Sequence, residues 1–123
     1  MKDKKILVCD DDHGILEMLE MVLEEDGYQV VTEAKSINAL NRIAEESPDL
    51  ILLDIWMPVI TGDQILSQLR SDDERSGIPV LMYSASTDGK LIAEKHGADS
   101  FIAKPFDLED LLSKVSGLLV QSS

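Results

Sequence analysis

Asp49-Leu50-Ile51-Leu52-Leu53-Asp54 is a run of branched apolar residues closed by a carboxylate, and Ile55-Trp56-Met57-Pro58 follows it. The run is too short for a helix and too uniformly apolar for a strand with one wet face, so it reads as a strand of a parallel sheet buried on both sides. Asp54 is then delivered at the carboxyl tip of that strand, which makes it the candidate reaction centre. A second apolar run, Ile6-Leu7-Val8-Cys9, ends in Asp10-Asp11-Asp12. Strand tips of one polarity lie on one edge of a parallel sheet, so carboxylates from the two strands can meet there.

Outward from these runs, apolar segments alternate five times with amphipathic ones, the pattern of an α/β fold with a parallel sheet and helical crossovers. Strands are expected at 4–9, 28–33, 49–54, 78–83 and 99–103, and helices at 13–26, 36–46, 63–71, 87–96 and 107–119. The punctuation agrees. Gly27 and Gly97 follow helical patterns as C-terminal caps, Pro48 and Pro79 precede or open strands, and Asp107 is placed to cap the last helix. Gln121-Ser122-Ser123 reads as a frayed tail.

The chain has 123 residues, 44% apolar and 28% charged, which predicts one globular domain over 1–123 with a core at about 4–120. With 24 acidic and 11 basic residues the net charge is −13, which argues against direct binding to nucleic acid. No apolar stretch reaches the roughly 20 residues needed to span a bilayer, and Met1-Lys2-Asp3-Lys4-Lys5 leads into a strand, so no membrane insertion and a cytoplasmic location are expected. The lone Cys9 lies in an apolar run and is expected to act as a small hydrophobe.

Laid side by side with right-handed crossovers, the strands send their reactive residues to one cleft. Asp10 and Asp11 follow the first strand, Asp54 ends the third, Ser84 follows the fourth in Val80-Leu81-Met82-Tyr83-Ser84-Ala85, and Lys104 follows the fifth in Phe101-Ile102-Ala103-Lys104-Pro105. Clustered carboxylates repel one another unless a cation lies between them. Mg²⁺ suits hard oxygen donors such as Asp11, Asp54 and a nearby backbone carbonyl, with Asp10 acting mainly through water; Mn²⁺ is the alternative ion. A carboxylate attacking a phosphoryl group needs its oxygens neutralised, which the cation, the Lys104 ammonium and the Ser84 hydroxyl can supply. The product would be an aspartyl phosphate.

These pieces, with Met57-Pro58 and Gly62 after Asp54, Gly97-Ala98-Asp99 and Lys104-Pro105-Phe106, resemble the receiver domain of two-component response regulators from Lys4 to about Val120. The resemblance implies a flavodoxin-like (βα)5 sandwich with strand order 2-1-3-4-5. It further implies Asp54 as phosphoacceptor, Asp10 and Asp11 as the acidic pair around Mg²⁺, and Trp56 as a metal ligand through its carbonyl. Lys104 would bind phosphate, Ser84 would supply the switch hydroxyl, and Phe101 would be the aromatic switch. The implied partners are a histidine kinase or histidine phosphotransfer protein upstream and an unnamed protein downstream. The domain would catalyse only its own phosphorylation and dephosphorylation, whether it is free-standing or cut from a hybrid kinase or multidomain regulator.

Neighbouring residues carry plainer roles. Asp12 is expected to cap the first helix, His13 to face solvent, and His96 to complement a helix C-terminus. Trp56 is expected to overhang the pocket and slow self-dephosphorylation by hindering water. In the first helix Ile15, Leu16, Leu19, Val22 and Leu23 form the core arc, leaving Met18 and Met21 beside or outside it as candidate partner contacts. A haloacid-dehalogenase-type phosphohydrolase would carry a second aspartate where Trp56 stands and would need a cap domain. A flavodoxin-type electron carrier would need a Ser, Thr and Gly loop where Asp10-Asp11-Asp12 stand.

Overall fold

Branched apolar residues stack most favourably where both faces of a strand are covered, and that is where the three most apolar runs lie. The computed structural model describes residues 3–122; Met1, Lys2 and Ser123 lie outside the described residues. Strands and helices alternate as β1 (Lys5–Cys9), α1 (His13–Glu25), β2 (Gln29–Glu33), α2 (Ala39–Glu46), β3 (Leu50–Asp54), α3 (Gly62–Arg70), β4 (Val80–Ser84), α4 (Gly89–His96), β5 (Ser100–Ala103) and α5 (Leu108–Ser122). Every pairing is parallel and the order is β2-β1-β3-β4-β5, the flavodoxin-like arrangement. β1, β3 and β4 are central and buried, while β2 and β5 are the partly exposed edges.

Alternation along each strand divides the core in two. Ile6, Val8, Leu50, Leu52, Leu81 and Tyr83 pack with Leu16, Leu19 and Leu23 of α1 and Leu111, Val115 and Leu118 of α5. Leu7, Ile51, Leu53, Val80 and Met82 pack on the other side with Ile43 of α2, Ile65, Leu66 and Leu69 of α3 and Ala93 of α4. Burying each large side chain contributes about 1.5–3 kcal/mol, so the two layers fix the sheet edge on which the polar residues gather. Cys9 belongs to the second layer, is fully buried, and its thiol is pushed up to about 12 chiefly by desolvation; it is inert packing, as expected.

The caps fall where the residue types predicted. Asp12 accepts the amides of Gly14 and Ile15 at 2.9 and 3.3 Å, and Asp107 accepts those of Glu109 and Asp110 at 3.0 and 3.3 Å. Gly27 and Gly97, just past α1 and α4, adopt φ of 96° and 90°. Several elements depart from expectation: β4 starts at Val80 instead of 78 and takes in Ser84, and α4 starts at Gly89 instead of 87. The segment expected as helix from 36 begins with a 3-10 turn, Ser36–Asn38, before α2. α3 starts one residue early, at Gly62, and α5 runs on through Ser122 instead of fraying at Gln121. Met18 is half-buried against the α1–α5 core, while Met21 is 58% exposed, so only the latter lies outside the arc.

Opposite the carboxyl edge, Arg70 at the end of α3 ties that helix to the α3–β4 and α4–β5 loops. Its guanidinium donates to the carbonyls of Gly97 at 3.1 Å, Ser76 at 3.0 Å and Ile78 at 2.7 Å, and to Asp99 Oδ2 at 2.7 Å. The same Asp99 oxygen accepts the Val80 amide at 2.7 Å, at the start of β4. Arg70→Ala leaves those acceptors without their donor and is expected to lower unfolding stability by about 2–3 kcal/mol in urea titration. An unchanged midpoint would show that water replaces the guanidinium without loss.

Candidate functional site

Asp10 and Asp11 follow β1, Asp54 ends β3, Ser84 ends β4 and Lys104 follows β5, so the predicted residues share the carboxyl edge of the sheet. One carboxylate oxygen from each of Asp10, Asp11 and Asp54 lies within 4.8 Å of the others. Asp10 is fully buried, Asp54 is 4% exposed, and Asp11 is open to solvent. Lys104 Nζ stands 3.3 Å from Asp10 Oδ2 and 3.7 Å from Asp54 Oδ1. The Asp12 amide donates to Asp10 Oδ1 at 2.9 Å, so Asp12 serves the site through its backbone while its side chain caps α1.

Electrostatics follow from this packing. Burial first, then the Asp10 charge, push the Asp54 carboxyl up to about 7; Lys104 opposes them, Asp11 adds to the rise and the Trp56 amide lowers it. Three carboxylates face one ammonium in a poorly hydrated recess, and the donors are hard oxygens. That donor set fits Mg²⁺, which takes one or two carboxylates and keeps its remaining positions for water and phosphate oxygens.

Behind the carboxylates, Ser84 is buried and its Oγ accepts the Ser86 amide at 3.0 Å. Phe101 is half-buried against the α2–α4 core. A Cβ on Gly89, at the start of α4, would lie 2.8 Å from Ser84 Cβ and 2.9 Å from two ring atoms of Phe101. Ser84, Gly89 and Phe101 are therefore packed together, so a shift of Ser84 bears on both α4 and β5. On the other side, a Cβ on Gly62 would clash with the Asp54 carbonyl oxygen, so only glycine lets α3 start this close to the end of β3.

Several residues escaped sequence reasoning. Tyr83 looks apolar in its strand, yet its hydroxyl donates to Asp10 Oδ2 at 3.0 Å, and burial holds the phenol well above its ordinary value, keeping it a donor. The strand alternation that pairs Tyr83 with Asp54 is the signal that could have found it. Ser36 ties the loop after Asp54: its hydroxyl donates to the Pro58 carbonyl and accepts the Ile60 amide at 3.1 Å. That bridge spans Val59, whose φ of 73° is strained for a β-branched residue. His96 does more than complement its helix end: Nδ1 lies 3.1 Å from Ser67 Oγ and Nε2 lies 3.8 Å from Asp63, linking α4 to α3. His13 is exposed and outside the carboxylate cluster, and Trp56 is 50% exposed beside Asp54.

The pattern of the response regulator receiver domain matches residues 6–116, and the chain belongs to that family. It is similar to the alkaline phosphatase synthesis transcriptional regulatory protein PhoP of Bacillus subtilis, 35% identical over 122 residues that cover 98% of this chain and 50% of PhoP. It thus spans about half the length of the curated relatives it matches. A CheY-like receiver domain structure from Methanospirillum hungatei superimposes with a TM-score of 0.89 at 32% identity, covering 98% of this chain and 96% of that one. A receiver domain of a signal transduction histidine kinase from Syntrophus aciditrophicus gives 0.89 at 30% identity, covering 96% and 91%. Domains of this family are signalling modules that interact with histidine kinases and bind Mg²⁺ through an acidic cluster, and Asp10, Asp11 and Asp54 form such a cluster here. Among the described residues no helix is long and apolar enough to cross a membrane.

The raised Asp54 value gives a signed pH dependence. Between 3.8 and about 7 the folded protein keeps a proton on Asp54 that the unfolded chain has released, so this group's contribution falls as pH rises through that window. In Mg²⁺-free buffer the wild type is expected to lose on the order of 2 kcal/mol more than Asp54→Asn between about pH 4 and about pH 8. Urea titrations across that range check it, and parallel pH profiles for the two proteins would contradict it.

Proposed function

We propose that this chain is a phosphoacceptor signalling domain of a two-component relay, taking a phosphoryl group from phosphohistidine onto Asp54. The observation that carries the reading is the buried Asp54 at a strand tip, grouped with Asp10 and Asp11 and 3.7 Å from the Lys104 ammonium. An Asp54 carboxylate oxygen attacks phosphorus, the donor's N–P bond breaks, and the histidine nitrogen leaves with its electron pair. Bound Mg²⁺, held by Asp11, Asp54 and the Trp56 carbonyl with Asp10 acting through water, would supply charge neutralisation at the phosphoryl oxygens.

This chain's residues do the rest. Lys104 gives up part of its pairing with Asp10 and Asp54 to meet a phosphoryl oxygen. The Ser84 hydroxyl turns to donate to another, and the volume it vacates beside Gly89 admits the Phe101 ring. An acyl phosphate of up to about two negative charges in place of the single carboxylate charge on Asp54 thus biases the packing of α4 and β5, a local charge event with a surface readout. The catalysis is confined to the domain's own modification, and hydrolysis of the adduct returns Asp54 to its carboxylate.

The domain's output passes through protein contact in this reading, since the net charge of −13 opposes a phosphate backbone. PhoP is a transcriptional regulator twice the matched length, and the Syntrophus aciditrophicus receiver comes from a histidine kinase; both are contexts in which such a domain serves a larger chain.

Intact mass after incubation with acetyl phosphate tests the reading. One phosphoryl adduct is expected in wild type with Mg²⁺, and none in Asp54→Asn or without a divalent cation; an adduct that survives in Asp54→Asn would refute the assignment. In this reading the side chain of Trp56, half-exposed and two residues after Asp54, hinders the water that attacks the adduct. Trp56→Asn is therefore expected to shorten the phosphoryl half-life a few fold, followed by decay of the same adduct. An equal half-life would assign Trp56 no part in adduct lifetime.

A further inference from the structure

The run Val80-Leu81-Met82-Tyr83 has a single member with a polar tip, and β4 pairs that residue in register with Asp54 of β3. Alternation therefore puts the Tyr83 side chain on the same face of the sheet as the candidate phosphoacceptor. The ring is fully buried in the α1–α5 core and is held edge-on by Phe106, with centroids 5.1 Å apart and planes at 81°.

Its hydroxyl lies 3.0 Å from Asp10 Oδ2 and 3.3 Å from the Cys9 carbonyl. Lys104 Nζ lies 3.3 Å from the same Asp10 oxygen and 5.0 Å from the centroid of the Tyr83 ring. The Asp12 amide takes up one site on Oδ1, at 2.9 Å. Asp10 is thus pinned by three donors from three segments. A carboxylate oxygen offers about two acceptor sites, so Oδ2 is filled by Tyr83 and Lys104, whereas Oδ1 keeps one free. A phenylalanine at position 83 would fill the same volume and keep the ring contacts; the core does not call for the hydroxyl, and the buried Asp10 charge does.

We propose that Tyr83 is a positioning residue of the phosphoryl-transfer site, whose hydroxyl fixes the Asp10 carboxylate so that Oδ1 remains available to the water through which Asp10 serves the divalent cation. When Lys104 turns toward a phosphoryl group on Asp54, the Tyr83 hydroxyl stays behind as the donor to Oδ2. Asp10 then keeps its orientation through the reaction instead of following the ammonium. This rests on the reading of the site as a Mg²⁺-dependent phosphoacceptor and adds to it a residue outside the acidic cluster, Lys104 and the switch pair. Outer-shell partners that orient the groups of a metal site typically govern metal affinity by about 10–100-fold.

Backbone amide shifts of Asp11 and Trp56 during Mg²⁺ titration of the unphosphorylated protein provide a readout independent of phosphotransfer. Tyr83→Phe is expected to raise the half-saturating Mg²⁺ concentration by about tenfold. Ile6→Val, which thins the same core layer without touching Asp10, is expected to titrate like wild type. A Tyr83→Phe midpoint within about twofold of wild type would overturn the proposal, as would an equal rise in Ile6→Val, since loosening of the core would then be the cause. If the wild type responds and Tyr83→Phe matches it, only the role of Tyr83 falls; if the wild type gives no Mg²⁺ response, the reading of the site falls with it.

Discussion

Asp10 and Asp54 are held almost out of solvent with Asp11 beside them, and the nearest positive charge is one ammonium that reaches both buried carboxylates. Burial first, and then the like charge of Asp10, oppose ionisation of Asp54 and raise its carboxyl. The rest of the structure supplies the apolar burial that holds them there. Two core layers fix β1 and β3 as neighbours, and their carboxyl ends deliver the acids to a single point. Holding the acids together at this edge costs stability and leaves a recess whose electrostatics favour a cation.

From that edge the path to the surface is short and mechanical. Ser84 ends the strand beside Asp54, and the start of α4 is pressed so closely on it that position 89 has no room for a side chain. Phe101 of β5 fills the other side of the same contact. A hydroxyl drawn toward a phosphoryl group therefore cannot move without consequence for the ring and the helix. Packing this dense converts small displacements into alternative arrangements instead of absorbing them.

Much of this was legible in the sequence because its causes are local. Runs such as Leu50-Ile51-Leu52-Leu53 declare a doubly covered strand, Asp12 and Asp107 announce helix starts, and glycine at 27 and 97 marks helix ends. The acidic residues and Lys104 were found because each stands at the end of an apolar run. What stayed hidden depends on contacts between distant segments. Ser36 reaches Pro58, His96 reaches Ser67 and Asp63, and Arg70 gathers the loops that lead into β4 and β5. Met18 sits on the border of its helical arc, and only the placement of α5 turns it into packing. Tyr83 is core by its place in an apolar run; its second role lies in a single oxygen that strand periodicity places near Asp54 without naming a partner.

In the proposed relay Asp54, and neither of its acidic neighbours, receives the phosphoryl group. Borohydride reduction cleaves an acyl phosphate and leaves homoserine at the modified aspartate, so peptide mass mapping after transfer from a phosphohistidine donor identifies the residue directly. Homoserine is expected at position 54 alone, and only when Mg²⁺ was present during transfer. Homoserine at position 10 or 11, or at position 54 regardless of the cation, would contradict it.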